Sequence, residues 1–138
     1  MAIDINIEDI IPQRHPFILI DQLISCNDQL IESSFQIPEE HPMVHNNKLC
    51  EGGLIENIAQ TAAAGNGYEA INRGGIIPKG FIAGIKNFKL KRLPSINSTL
   101  RTKITHQNRI MGYNLIKGEV IESQEIIASC EMKIYCPD

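Results

Sequence analysis

The chain has 138 residues, enough for one domain with a sizeable core. Lys plus Arg number 13 against 16 Asp plus Glu, a formal charge of -3, which excludes the basic footprint of a nucleic-acid binder. The cysteines, Cys26, Cys50, Cys130 and Cys136, show no metal-ligand spacing, so reduced thiols and no metal site are expected.

The N-terminus has no positive region followed by an apolar run, so no signal peptide is expected. No apolar stretch approaches membrane-spanning length. The expectation is a cytoplasmic protein made of a single domain over 1–138. Ile3 to Ile11 spaces Ile7 and Ile10 helically, with Glu8 and Asp9 early and Pro12 as a stop, which predicts a short helix. Phe17 to Ser25 is apolar and reads as a strand buried on both faces at its start. Asn27-Asp28 is a turn signal, and Leu30 to Ile37 should pair back as a hairpin. Pro38 to Cys50 is rich in Pro, Asn and His and reads as a loop.

Glu51 to Gly75 is the one long helical segment. Leu54, Ile58 and Ala62 recur at helical spacing, and so do Ile55, Ala59 and Ala63. The apolar surface wraps most of the circumference, which predicts a buried helix. Glycine pairs flank it, Gly52-Gly53 before and Gly74-Gly75 after. Glu56 and Gln60 lie one turn apart on one face. A carboxylate in such a helix is costly unless something uses or pairs it.

After the helix come only strands. Gly80 to Leu90 is one, with a bulge expected at Gly84. Lys91 to Ser98 is a turn. Thr99 to His106, Met111 to Ile121 and Glu125 to Tyr135 follow, the last two joined at Ser123-Gln124. A hairpin, one helix and a run of strands predict an α+β fold with a mostly antiparallel sheet. One helix covers about six strands only if the sheet curls around it.

Three stretches carry a family resemblance. Pro12 to Ile24, PQRHPFILIDQLI, is similar to P-H-R-Y-P-F-L-L-V-D-R-V. Glu56 to Gln60, ENIAQ, is similar to E-A-M-A-Q. Phe81 to Leu100 is similar to F-L-A-G-I-D-N-A-R-F-K-R-P-V-x-P-G-D-x-L. In this order they resemble the hotdog-fold 3-hydroxyacyl-(acyl carrier protein) dehydratases. The resemblance implies a curved antiparallel sheet of about six strands around one central helix. It implies a homo-oligomer built from hotdog dimers, no cofactor, and an acyl carrier protein thioester as substrate. The chain departs from the family's G-H-F-P-G before the helix. The matching region reads EEHPMVHNNKLCEGG, and the position fourteen before Glu56 is Pro42.

Glu56 is the candidate general acid, since a carboxyl held out of water keeps its proton to higher pH. The plain alternative is a helix carboxylate paired with a cation. His41 and His45 are the candidate bases, able to take a C2 proton beside a thioester. The alternative is two solvated loop histidines. His41 stands nearer the family spacing. Gln60 would orient Glu56, or else serve a subunit contact. Gly52 and Gly53 would offer bare N–H groups at the helix start to a thioester oxygen, or simply open the helix. Lys86, Lys89, Lys91 and Arg92 would suit an acidic carrier, or form a solvated face.

The expected activity is dehydration of 3-hydroxyacyl thioesters to trans-2-enoyl thioesters in fatty acid or related acyl-chain biosynthesis. Two alternatives stand beside it. One is a catalytically reduced dehydratase-like partner subunit or acyl-binding module. The other is a hotdog thioesterase that uses Glu56 to position water.

Overall fold

The computed structural model describes residues 2–137. A 3₁₀ turn at Ile7–Asp9 is all that forms of the expected N-terminal helix. Pro12 and the packing of Ile10 and Ile11 into the core leave no room for more. The strands are β1 (Gln22–Cys26), β2 (Leu30–Gln36), β3 (Val44–His45), β4 (Lys48–Leu49), β5 (Phe81–Leu90), β6 (Thr99–Ile110), β7 (Tyr113–Glu122) and β8 (Glu125–Tyr135). One helix, α1, spans Glu51–Asn72.

Six strands form one antiparallel sheet in the order β1-β2-β6-β7-β8-β5. The helix packs on β1, β2, β6 and β7. This is the hotdog fold. No helix among the described residues is long and apolar enough to cross a membrane.

The two apolar lines of α1 have different fates. Leu54, Ile58 and Ala62 are wholly buried against Leu100, Ile104, Ile116 and Val120. Ile55, Ala59 and Ala63 are only half-buried, so one side of the helix is open. Contact on the buried side is very close. A Cβ on Gly118 would come within 2.4 Å of Ile58, and one on Gly67 within 1.8 Å of the Ile10 carbonyl oxygen.

Two local readings change and one holds. The 38–50 segment is not all loop, because β3 and β4 make a small hairpin in it. Its turn is Asn46-Asn47, with φ of 54° and 63°, the left-handed region that Asn tolerates. The strand expected from Phe17 begins only at Gln22, and Phe17 is 60% exposed rather than buried. The Phe17–Ile20 stretch instead bonds to side chains of α1. The bulge expected at Gly84 is present as a register shift between Ile82 and Gly84.

Nearly every residue of β5 is exposed, although it is ten residues long and lies at the sheet edge. The opposite edge strand, β1, is half that length at five residues, and its Leu23 carbonyl is taken by the Ile3 N–H.

Candidate active site

The open side of α1 forms one wall of a cavity of about 320 Å³. Glu56, Ala59, Ala63 and Asn66 line that wall at helical spacing. Pro12 and Gln13 form the second wall. The start of β5 and the end of β8 form the third, with Phe81, Ile82 and Ile134. Among the described residues, Glu56 is the only charged one lining the cavity.

The helix is tied to the strip before β1 by side chains one turn apart. Gln60 is 1% exposed. Its Oε1 accepts from Leu19 N–H at 2.7 Å, and its Nε2 donates to Phe17 O at 3.0 Å and to Glu56 Oε2 at 3.4 Å. Both amide hydrogens and the amide oxygen of Gln60 thus have a protein partner. Asn57 Nδ2 donates to Leu19 O at 2.8 Å, and its Oδ1 receives the Thr102 hydroxyl at 2.5 Å. The Thr61 hydroxyl gives its hydrogen to Asn57 O at 2.7 Å, so Ser33 is the donor in its 2.7 Å contact with Thr61. This buried polar set pins the helix to β2, β6 and the strip at once. Asn57 was missed in the sequence. A polar residue beside buried Ile58 in an apolar helix was the available signal.

His41 lies beside the helix start. Met43 N–H donates to its Nδ1 at 3.0 Å, so that nitrogen carries no proton and Nε2 carries it. Nε2 then donates to Ile18 O at 3.0 Å. His41 is not among the residues lining the Glu56 cavity. His45 is exposed in β3, opposite Lys48.

Gly52 and Gly53 occupy the first turn of α1. Cys50 precedes them as a cap whose side chain makes no bond. A Cβ on Gly53 would meet Leu49 at 2.6 Å, and one on Gly52 would meet Met43 at 3.1 Å. Close packing on Leu49 accounts for Gly53, whereas the Met43 end near Gly52 can give way. The basic run is partly committed: Lys91 pairs with Glu125, and Arg92 pairs with Glu125 and, at 2.8 Å, with Glu122. Lys86 and Lys89 stand on the exposed edge strand.

Comparison with known proteins agrees with this architecture. The chain is 29% identical to the 3-hydroxyacyl-[acyl-carrier-protein] dehydratase FabZ of Staphylococcus carnosus over 141 residues, covering 96% of this chain and 94% of the relative. It is 26% identical to the FabZ dehydratase of Bacillus thuringiensis, covering 94% and 90%. Among solved structures it is similar to the dehydratase heterocomplex ApeI:P from Xenorhabdus doucetiae, with a TM-score of 0.90, 16% identity, and coverage of 97% and 92%. At that identity the likeness speaks for the fold. The model of the ApeP-like family, described as ApeP dehydratase, matches residues 5–138, and the chain belongs to that family.

Proposed function

We infer that this chain dehydrates 3-hydroxyacyl thioesters carried on acyl carrier protein, giving trans-2-enoyl thioesters for fatty acid or related biosynthesis. The single observation that carries the reading is Glu56, the one carboxyl among the described residues on the wall of a cavity lined mostly by apolar residues. Family membership sets the reaction class. The relatives called FabZ act on acyl carrier protein substrates by name, and the substrate is carried over from them.

The elimination moves one proton at each end. A base takes the C2 proton, and the C–H electron pair becomes the C2=C3 bond. The C3–O bond breaks, and the oxygen leaves as water with the proton of Glu56. We assign the base to His41, with His45 as the second candidate. The basic lone pair of His41 is at Nδ1, so Met43 N–H must release it before it takes a proton. Once protonated, the imidazolium is stabilised through Nε2–H and Ile18 O, a bond that becomes charge-assisted. Gln60 positions Glu56 and the strip rather than the substrate. The N–H groups of Gly52 and Gly53 are assigned to the thioester oxygen as charge builds there.

His41 does not enter the Glu56 cavity of its own chain, which favours a site completed by a second chain. The bare β5 edge beside that cavity suits pairing with a second hotdog chain. We take a copy of this chain, in the cytoplasm, as the reading to test. The arrangement named for the Xenorhabdus complex, with unlike chains, is the other outcome.

The test is incubation with 3-hydroxyacyl and saturated acyl thioesters. Enoyl product is the expected result. Free thiol from both would replace the reading with a thioesterase. Binding without either product would make the chain an acyl-binding partner subunit.

A further inference from the structure

A second polar group on the cavity wall is unaccounted for. Gln13 is half-buried and lines the cavity together with Glu56. Its Oε1 is buried and has no hydrogen-bond partner. Such an acceptor is costly, and folded proteins leave few of them. The neighbouring Arg14 is mostly committed elsewhere. Arg14 Nη1 donates to the backbone oxygens of Ile11 and Gln13, each at 2.8 Å, and its Nε faces Glu8 at 3.5 Å. The facing helix offers Ala59 and Ala63, which have no side-chain donor, and Glu56 and Asn66, neither of which bonds the Gln13 oxygen. A donor brought by the occupant of the cavity would satisfy this oxygen.

The chemistry of the occupant narrows the choice. From C1 to C3, a 3-hydroxyacyl thioester has one hydrogen-bond donor, the 3-hydroxyl. A saturated acyl thioester has none there, and neither has the enoyl product. We propose that Gln13 is a specificity-determining contact: its carboxamide oxygen receives the hydrogen of the substrate's 3-hydroxyl beside Glu56. This rests on the dehydratase reading and names a residue that reading does not use.

The contact fits the elimination step. With its hydrogen on Gln13, the hydroxyl turns a lone pair toward the proton of Glu56. When C3–O breaks, that proton completes a water molecule. The water then has one hydrogen on Gln13 and one on the Glu56 carboxylate. The enoyl product keeps neither bond, so the same contact that holds substrate does not hold product.

The experiment separates this contact from catalysis. Glu56→Gln protein, in the assembly it forms, is titrated by calorimetry with 3-hydroxyhexanoyl and hexanoyl thioesters of N-acetylcysteamine. The expected result is a preference for the hydroxylated ligand of at least about tenfold, the worth of one well-made hydrogen bond. Adding Gln13→Met, which keeps the length and removes the acceptor, erases that preference and leaves hexanoyl binding unchanged. Gln13→Glu, which keeps an acceptor, retains it. An unchanged preference in Gln13→Met overturns the proposal. So does an equal loss for both ligands, or a loss in Gln13→Glu as large as in Gln13→Met. Enoyl formation by the wild-type protein is measured separately. Its absence would remove the dehydratase reading while the binding preference still reports on Gln13.

Discussion

His41 and Gln60 hold opposite sides of one peptide group. The Ile18 carbonyl receives His41 Nε2–H at 3.0 Å, and the Leu19 N–H of the same unit donates to Gln60 Oε1 at 2.7 Å. Gln60 continues to Glu56 at 3.4 Å. A shift at either side chain therefore moves the plane that orients the other. Gln60→Leu leaves Leu19 N–H and Phe17 O without their partners. We expect a loss of about 2–3 kcal/mol in urea unfolding, from unsatisfied backbone groups. Wild-type stability in this variant would show that water replaces the amide.

Glu56→Gln keeps the side-chain size and cannot supply a proton. It should abolish enoyl formation while the thermal unfolding midpoint and oligomeric state stay as in wild type. Unfolding would make Glu56 a structural residue, and full activity would remove it from the mechanism.

His41→Ala should lower the rate by at least ~100-fold, the lower range for losing a general base. His45→Ala should cost much less, as expected of an exposed side chain in β3. If acid and base come from different chains, mixing His41→Ala with Glu56→Gln restores activity. Random pairing makes half of the dimers mixed with one intact site each, so about a quarter of wild-type activity returns. Recovery near zero would place both groups in one chain.

The β5 edge predicts association. Light scattering at micromolar concentration should give a dimer or a larger species. Ile85→Lys places a charge on an exposed apolar position of β5 and should shift the protein toward monomer, with loss of activity and retained circular dichroism. A wild-type monomer is the result that counts against the assembly.

Cys26 and Cys130 are pushed up to about 11, first by burial and then by Glu69 beside Cys26 and Glu131 beside Cys130. Both should therefore resist iodoacetamide at pH 8, read by mass spectrometry. Because the folded thiols ionise later than unfolded ones, folding stability is full below the ordinary thiol range. It declines as pH rises from there through about 11. Rapid labelling of Cys26 at pH 8 would contradict its contacts with Gly65 O and Glu69.

Periodicity made α1 and the long strands legible, because each repeats its signal over many residues. It did not show which of two apolar helix lines meets the sheet. Ile55, Ala59 and Ala63 match Leu54, Ile58 and Ala62 in pattern, and only the packing of Ile58 on Gly118 separates them. The Phe17–Ile20 strip looked like a strand because its composition is that of one. Its hydrogen bonds go to His41 and, some 40 positions along the chain, to Asn57 and Gln60, and no local signal reports such partners. Glu56 and Gln60 were legible as a pair. The tautomer of His41 was not, since it depends on a turn to Met43 and on a carbonyl 23 residues earlier.

The contact of Gly67 with the Ile10 carbonyl has a consequence for selectivity. Backbone against backbone cannot yield as a side chain can, and a methyl group on Gly67 would lie 1.8 Å from that oxygen. The segment leading to Pro12 and Gln13 is thus clamped to the helix at a fixed spacing. The cavity has one rigid jaw, made of helix and N-terminal segment, and one that ends in a bare strand edge. If the cavity takes the acyl chain, adjustment to its girth falls on the second jaw, and a chain pairing with β5 would set the gauge of the site.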